Sequence, residues 1–100
     1  MLLVARHGDG EVVGFATVSW KWSTTRGARI AVMEDLFVAP EARGHGAADA
    51  LIAACADRAR ALGAPVLTWM TALDNQRAQA VYDRSGATAD TWLEYELELG

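Results

Sequence analysis

Cysteine is almost absent from this chain of 100 residues. Cys55 stands alone, so neither an intrachain disulfide nor a multi-cysteine zinc site can form. No apolar run approaches the roughly 20 residues of a membrane-spanning helix. The short apolar opening at residues 2–5 soon meets Arg6, His7 and Asp9, which is not a secretory signal. Basic residues are few and scattered: nine Lys and Arg face thirteen Asp and Glu, giving a net charge of −4. Nucleic-acid partners select the opposite balance, and membrane-surface binding gathers basic residues into a patch, so neither nucleic acid nor membrane is an expected partner. A soluble cytoplasmic protein is the expectation that remains.

What the chain has is apolar and small. Hydrophobic residues make up 52% and alanine alone supplies 20, which favours helices and a globular state over disorder. A chain of this length is one domain and buries roughly 65% of its unfolded surface, enough for a core with little margin.

Residues 2–5 form a short strand that ends at the turn Gly8-Asp9-Gly10. Residues 12–20, rich in β-branched and aromatic side chains, form a second strand, and the pair predicts an antiparallel hairpin. Residues 29–38 form a third strand whose apolar run Ile30-Ala31-Val32-Met33 suits burial on both faces. From 46 to 62 the pattern turns helical: Ala48, Leu51, Ile52, Cys55, Ala59 and Leu62 recur at steps of three and four, with Asp49, Asp57 and Arg60 opposite. Residues 65–71 form a fourth strand. Asp74 or Asn75 caps a second helix over 75–85, with Ala78, Val81, Tyr82 and Ser85 facing inward. Residues 92–99 alternate apolar with acidic side chains and predict a half-buried final strand. The order β-β-β-α-β-α-β describes an α/β (α+β) domain over 1–100, with a mixed, mostly antiparallel sheet around a central β-α-β unit.

The segment Val38-Ala-Pro-Glu-Ala-Arg-Gly-His-Gly-Ala-Ala48 leaves a buried strand, turns through two glycines and enters a helix. Glycines let the backbone approach a ligand, and free N–H groups backed by a helix dipole attract anions. Arg43 adds a forked cation at the mouth. Taken alone, such a turn is equally a tight connection. A Walker A lysine is missing, and Asp49 occupies the last glycine position of a dinucleotide fingerprint.

Arg43-Gly-His-Gly-Ala-Ala48 resembles the pyrophosphate loop of the GNAT superfamily of N-acetyltransferases. Glu34-Asp-Leu-Phe-Val-Ala-Pro-Glu41 looks like that family's pantetheine-pairing strand. Asn75-x-x-Ala78-x-x-x-Tyr82-x-x-x-Gly86 is similar to its second motif. The resemblance covers residues 2–99, but the strand and two helices that usually precede the hairpin and wall the acceptor site have no counterpart, and Ala87 replaces a common aromatic.

The resemblance implies acetyl-CoA as co-substrate and no metal. Arg43, Gly44, His45, Gly46, Ala47 and Ala48 would hold the pyrophosphate. The backbone of Leu36, Phe37 and Val38 would pair with pantetheine, and Asn75 would cap its helix or reach the coenzyme. Tyr82 would act as general acid toward the departing thiolate, or else be a core tyrosine. A protonated amine must lose a proton before attack, which suits a carboxylate. Glu34 and Asp35 are neighbours in a strand and so point to opposite faces, with Glu34 preferred as base and an ion pair with Arg29 as the alternative. The His45 side chain faces solvent, and Cys55 is a helix-core residue with nothing nearby to lower its pKa.

The implied activity is N-acetyl transfer to a small primary amine in a ternary complex. The stretches 34–38 and Trp69-Met-Thr71 look most like small-molecule and polyamine-type members. The alternative is a coenzyme A-binding or dimerisation module without an acceptor site. Bare sheet surface and Trp20, Trp22 and Trp92 predict a homodimer.

Overall fold

Strand-period patterning draws the first half of the chain into one ladder. The computed structural model describes residues 1–100. Strand β1 (Leu2–Arg6) pairs antiparallel with β2 (Val12–Ser23), and β2 pairs antiparallel with β3 (Ala28–Val38). Helix α1 (Ala47–Ala61) then crosses to β4 (Leu67–Thr68), which lies parallel to β3 through Ala31↔Leu67 and Val32↔Thr68. Helix α2 (Gln76–Arg84) follows. The sheet order is β1-β2-β3-β4, the expected mixed α/β sheet with a central β-α-β unit.

Helix α1 covers one face of this sheet. Its stripe of Leu51, Ile52, Cys55 and Ala59 packs on Ala16, Val18, Ala31, Met33 and Val38, and Ala16, Ala31 and Cys55 are wholly buried. These small side chains let helix and sheet approach closely. Gly14 carries the same logic further: a Cβ there would stand 2.7 Å from the Phe37 carbonyl oxygen and 3.4 Å from Leu51. Leu62, expected to extend the stripe, is exposed, because the helix ends at Ala61 and Leu62 is already its cap. The inward stripe of α2 is shallower than expected. Ala78, Val81 and Tyr82 are half-buried and Ser85 is exposed, since α2 rests on the edge of the core.

Two strand expectations are corrected. Only Leu67 and Thr68 of the expected 65–71 join the ladder, because β4 diverges from β3 after two pairs. The final strand over 92–99 does not form, so the order closes as β-β-β-α-β-α. Alternation describes a strand's two faces, but a strand also needs a neighbour, and residues 88–100 make no backbone hydrogen bond within the chain.

A third correction concerns the acidic pair. Thr17 pairs with Asp35 and Val18 with Met33, which leaves Glu34 as an extra residue in a β-bulge. The bulge breaks the alternation that would separate Glu34 from Asp35. Ser19 Oγ donates to Glu34 Oε1 at 2.6 Å, and Thr17 Oγ1 donates to Asp35 Oδ2 at 2.7 Å. Thr17 and Ser19 alternate with the buried Ala16 and Val18, so both carboxylates lie on the sheet face away from α1. Arg29 does not pair with either. It stacks 5.3 Å from the centre of the Trp20 ring.

Candidate functional site

The divergence of β4 from β3 leaves the far end of β3 with a free edge. Against that edge, the N-terminus of α1 and one side of α2 enclose an open cleft of about 550 Å³. Leu36, Phe37 and Val38 form its sheet wall, Arg43, Gly44, Gly46, Ala47 and Ala48 its turn, and Asn75 and Tyr82 its α2 wall. Sequence reasoning named all of these.

The turn leaves its backbone donors free. Pro40 opens a single 3-10 turn (Pro40–Ala42) that ends β3 and leads to Arg43. Gly44 and Gly46 then adopt φ of 84° and 81°, where a Cβ would be strained. With this alternation the N–H groups of Gly44, His45, Gly46, Ala47 and Ala48 have no partner within the chain. Five consecutive unsatisfied donors at the start of a fifteen-residue helix form a concave positive site. Arg43 Nε donates to the Val38 carbonyl at 3.1 Å, which fixes the guanidinium beside the turn.

Asn75 caps α2 by accepting the Ala78 N–H at 3.1 Å, and its amide nitrogen donates to nothing in the chain. Tyr82 is half-buried and meets Trp69 edge to face, with ring centres 5.4 Å apart. Burial raises its phenol above the ordinary value, so it remains a proton donor at neutral pH. Its hydroxyl has no acceptor within the chain.

His45 does not line this cleft. It borders a separate hollow with Arg6 and His7, so its backbone alone belongs to the turn. Glu34 also lies outside the cleft, on the bulged face of β3. Cys55 is fully buried, and desolvation raises its thiol pKa, as fits a core residue.

Sequence reasoning missed Asp49, Arg77, Ala80 and Arg84 as cleft residues. Arg77, Val81 and Arg84 follow a helical stripe one position beside Ala78 and Tyr82, so widening that stripe by one residue would have found Arg77 and Arg84. Arg84 makes a forked contact with Asp49 at 2.8 and 2.9 Å and holds its carboxyl below the usual range.

A strand that turns through two left-handed glycines into a helix, with a second helix closing the cleft, leaves a row of free backbone donors at a helix N-terminus. The Acetyltransferase (GNAT) family matches residues 1–87, and the chain belongs to that family. It is 36% identical over 91 residues to the Bacillus subtilis (strain 168) protein named "Uncharacterized N-acetyltransferase YhfO", covering 91% of this chain and 60% of that one. It is 32% identical over 81 residues to "D-amino-acid N-acetyltransferase HPA3" of Saccharomyces cerevisiae (strain ATCC 204508 / S288c), covering 81% and 50%. A solved structure of AAC(6')-Iy in complex with the bisubstrate analog CoA-S-monomethyl-acetylneamine superposes with a TM-score of 0.85 at 25% identity, over 97% of this chain and 67% of that one. The chain thus spans 50 to 60% of the length of these two curated relatives. No helix is long and apolar enough to cross a membrane.

Proposed function

We propose that residues 1–100 form a single acetyl-CoA-binding domain that transfers acetyl to a small primary amine by direct attack in a ternary complex. The observation that carries this is the row of five unpartnered N–H groups from Gly44 to Ala48, opening on a cleft that also holds a protonated Tyr82. Bound there, acetyl-CoA supplies an activated acetyl thioester.

The chain's own residues would divide the work as follows. Backbone donors of 44–48 bind the pyrophosphate, with Arg43 fixed beside them. The free edge of β3 at Leu36, Phe37 and Val38 pairs with the pantetheine amides, and the unpaired Asn75 amide adds a donor. Tyr82 Oη delivers a proton to the leaving sulfur. Glu34, hydrogen-bonded by Ser19, accepts the amine's proton from the bulged face, directly or through water. The two groups would thus act from different sides of the gap between β3 and β4, with positioning supplying much of the rate. The relative named for D-amino acids and the structure with a CoA-S-monomethyl-acetylneamine analog both support an amine acceptor. A cytoplasmic homodimer completes the proposal.

One observation favours a second reading. Leu2, Val4, Phe15 and Phe37 are exposed on the face that carries Glu34, as in a binding module whose acceptor wall is elsewhere. Calorimetry with acetyl-CoA and turnover with a panel of amines separates the two. Binding with turnover supports the enzyme, binding alone the module, and no binding defeats both.

A further inference from the structure

Ala78, Gln79, Val81 and Tyr82 are the half-buried residues of α2, and Gln79 alone among them does not line the cleft. Its amide nitrogen donates to the Leu73 carbonyl at 2.8 Å and to the Ala72 carbonyl at 3.2 Å. The Ala72 carbonyl also accepts the Asn75 N–H at 3.0 Å, and the Asn75 carbonyl accepts the Gln79 N–H at 3.1 Å. Gln79 therefore holds Asn75 from both sides along the chain. Its reach follows from helix geometry. Long helical side chains lean toward the N-terminus over the residue four before, and Asn75 stands four before Gln79. Little else seats the turn that enters α2, because Ala72, Leu73 and Asp74 are exposed, Leu73 by 80%.

We infer that Gln79 is a positioning residue that clamps this turn and so aims the Asn75 amide into the cleft. The inference rests on the acetyl-CoA reading of that cleft and divides it in two. Asn75 Oδ1 accepts the Ala78 N–H, so the Asn75 side chain has only its Nδ2 hydrogens left to offer a ligand. Such a donor suits a pantetheine amide carbonyl, which carries no charge to draw a loose side chain into place. Fixing the donor before the ligand arrives lowers the ordering cost of binding. The pyrophosphate would meet the N–H groups of residues 44–48, none of which Gln79 touches. The pantetheine half of the coenzyme thus depends on Gln79, and the nucleotide half does not.

Calorimetry on the full chain tests this with two probes. One is acetyl-CoA, and the other is 3′-phosphoadenosine 5′-diphosphate, the coenzyme's nucleotide half without pantetheine. Gln79→Met keeps the length of the side chain and removes its donors. It should weaken acetyl-CoA binding by about tenfold, near the effect of one hydrogen bond, and leave affinity for the nucleotide unchanged. Gln79→Ala favours the helix and should repeat that loss, with thermal unfolding confirming that both variants fold. Gln79→Lys returns a donor of similar reach and should restore the ratio between the two affinities. Asn75→Ser keeps a cap but removes the amide, and in that background Gln79→Met should cost nothing further. Equal losses for both probes would make Gln79 a residue of the fold alone. Unchanged affinity for acetyl-CoA, or a full further loss in the Asn75→Ser background, would mean that the clamp does not act through Asn75. Each of these overturns the proposal and leaves acetyl-CoA binding intact. An unaltered chain that binds neither probe would overturn the acetyl-CoA reading itself, and the proposal with it.

Discussion

Arg84, at the end of α2, forks onto Asp49 in the first turn of α1 across 35 residues of chain. As a surface pair it adds little to stability. Its position matters more, because Asp49 lines the cleft beside the donors that would receive pyrophosphate. A bare carboxylate there would repel the phosphates. Arg84→Gln should therefore weaken acetyl-CoA binding by roughly tenfold, an effect that shrinks in high salt. Asp49→Asn in that background should recover most of it. Calorimetry on the four proteins closes the cycle, and additive effects would mean that the pair has no electrostatic role. Because Arg84 depresses the Asp49 pKa, the pair's contribution is present above the ordinary carboxylate value and is lost as pH falls through the lowered one.

Gly46 tests the turn. Space for a Cβ exists, but the left-handed backbone costs an alanine about 1–2 kcal/mol. Gly46→Ala should lower thermal stability modestly and affinity for acetyl-CoA more, since relaxing the turn redirects its N–H groups. Gly46→Val should do both more severely. Unchanged affinity in a folded variant would remove the turn from the site.

Tyr82→Phe keeps the ring against Trp69 and removes only the hydroxyl. kcat should fall on the order of 10²-fold with little change in acetyl-CoA affinity. Burial raises the phenol's pKa, so loss of the acid form should cut activity only at pH above the ordinary phenol value. Equal turnover in both proteins would return Tyr82 to a packing role.

Much of this was legible in the sequence because it is local. The turn at Arg43–Ala48 is defined by two glycines and the strand and helix around it, and the α1 stripe by its spacing. The bulge was not legible: whether Glu34 and Asp35 share a face depends on how β3 counts against β2, and one strand's pattern carries no register. The Asp49–Arg84 contact was hidden for a similar reason, since it depends on how two helices dock. Residues 92–99 show the limit from the other side. Their alternation is strong, but alternation alone supplies no neighbouring strand to pair with.

Cys55 should resist thiol reagents in the native state and react on unfolding, because it is fully buried and desolvation raises its pKa. It is wholly buried in the same core cluster as Ala16 and Ala31, so Cys55→Leu, by overpacking that core, should cost about 1–3 kcal/mol in denaturant unfolding. Rapid labelling of the folded protein would show that α1 does not seat as described.

The bulged carboxylates give the sharpest test of where the amine is deprotonated. Glu34 and Asp35 share a face, are both exposed and each accept one hydroxyl, so position alone does not rank them. Their backbone settings differ. Asp35 stands in register opposite Thr17, whereas Glu34 is the extra residue, with no partner in β2 and a longer side chain. A base must reach an amine at the β3–β4 gap, which favours the longer arm. Glu34→Gln keeps an oxygen for Ser19 to donate to, so the bulge should survive while the base is lost. The expected result is a fall in kcat on the order of 10²-fold with normal acetyl-CoA affinity. Activity should partly return at high pH, where more of the amine is already deprotonated. Asp35→Asn, with Thr17 still bonded, should change kcat by no more than a few-fold. If the two variants exchange these outcomes, Asp35 is the base. If neither lowers kcat, deprotonation occurs in solvent and the bulge serves only to shape the strand.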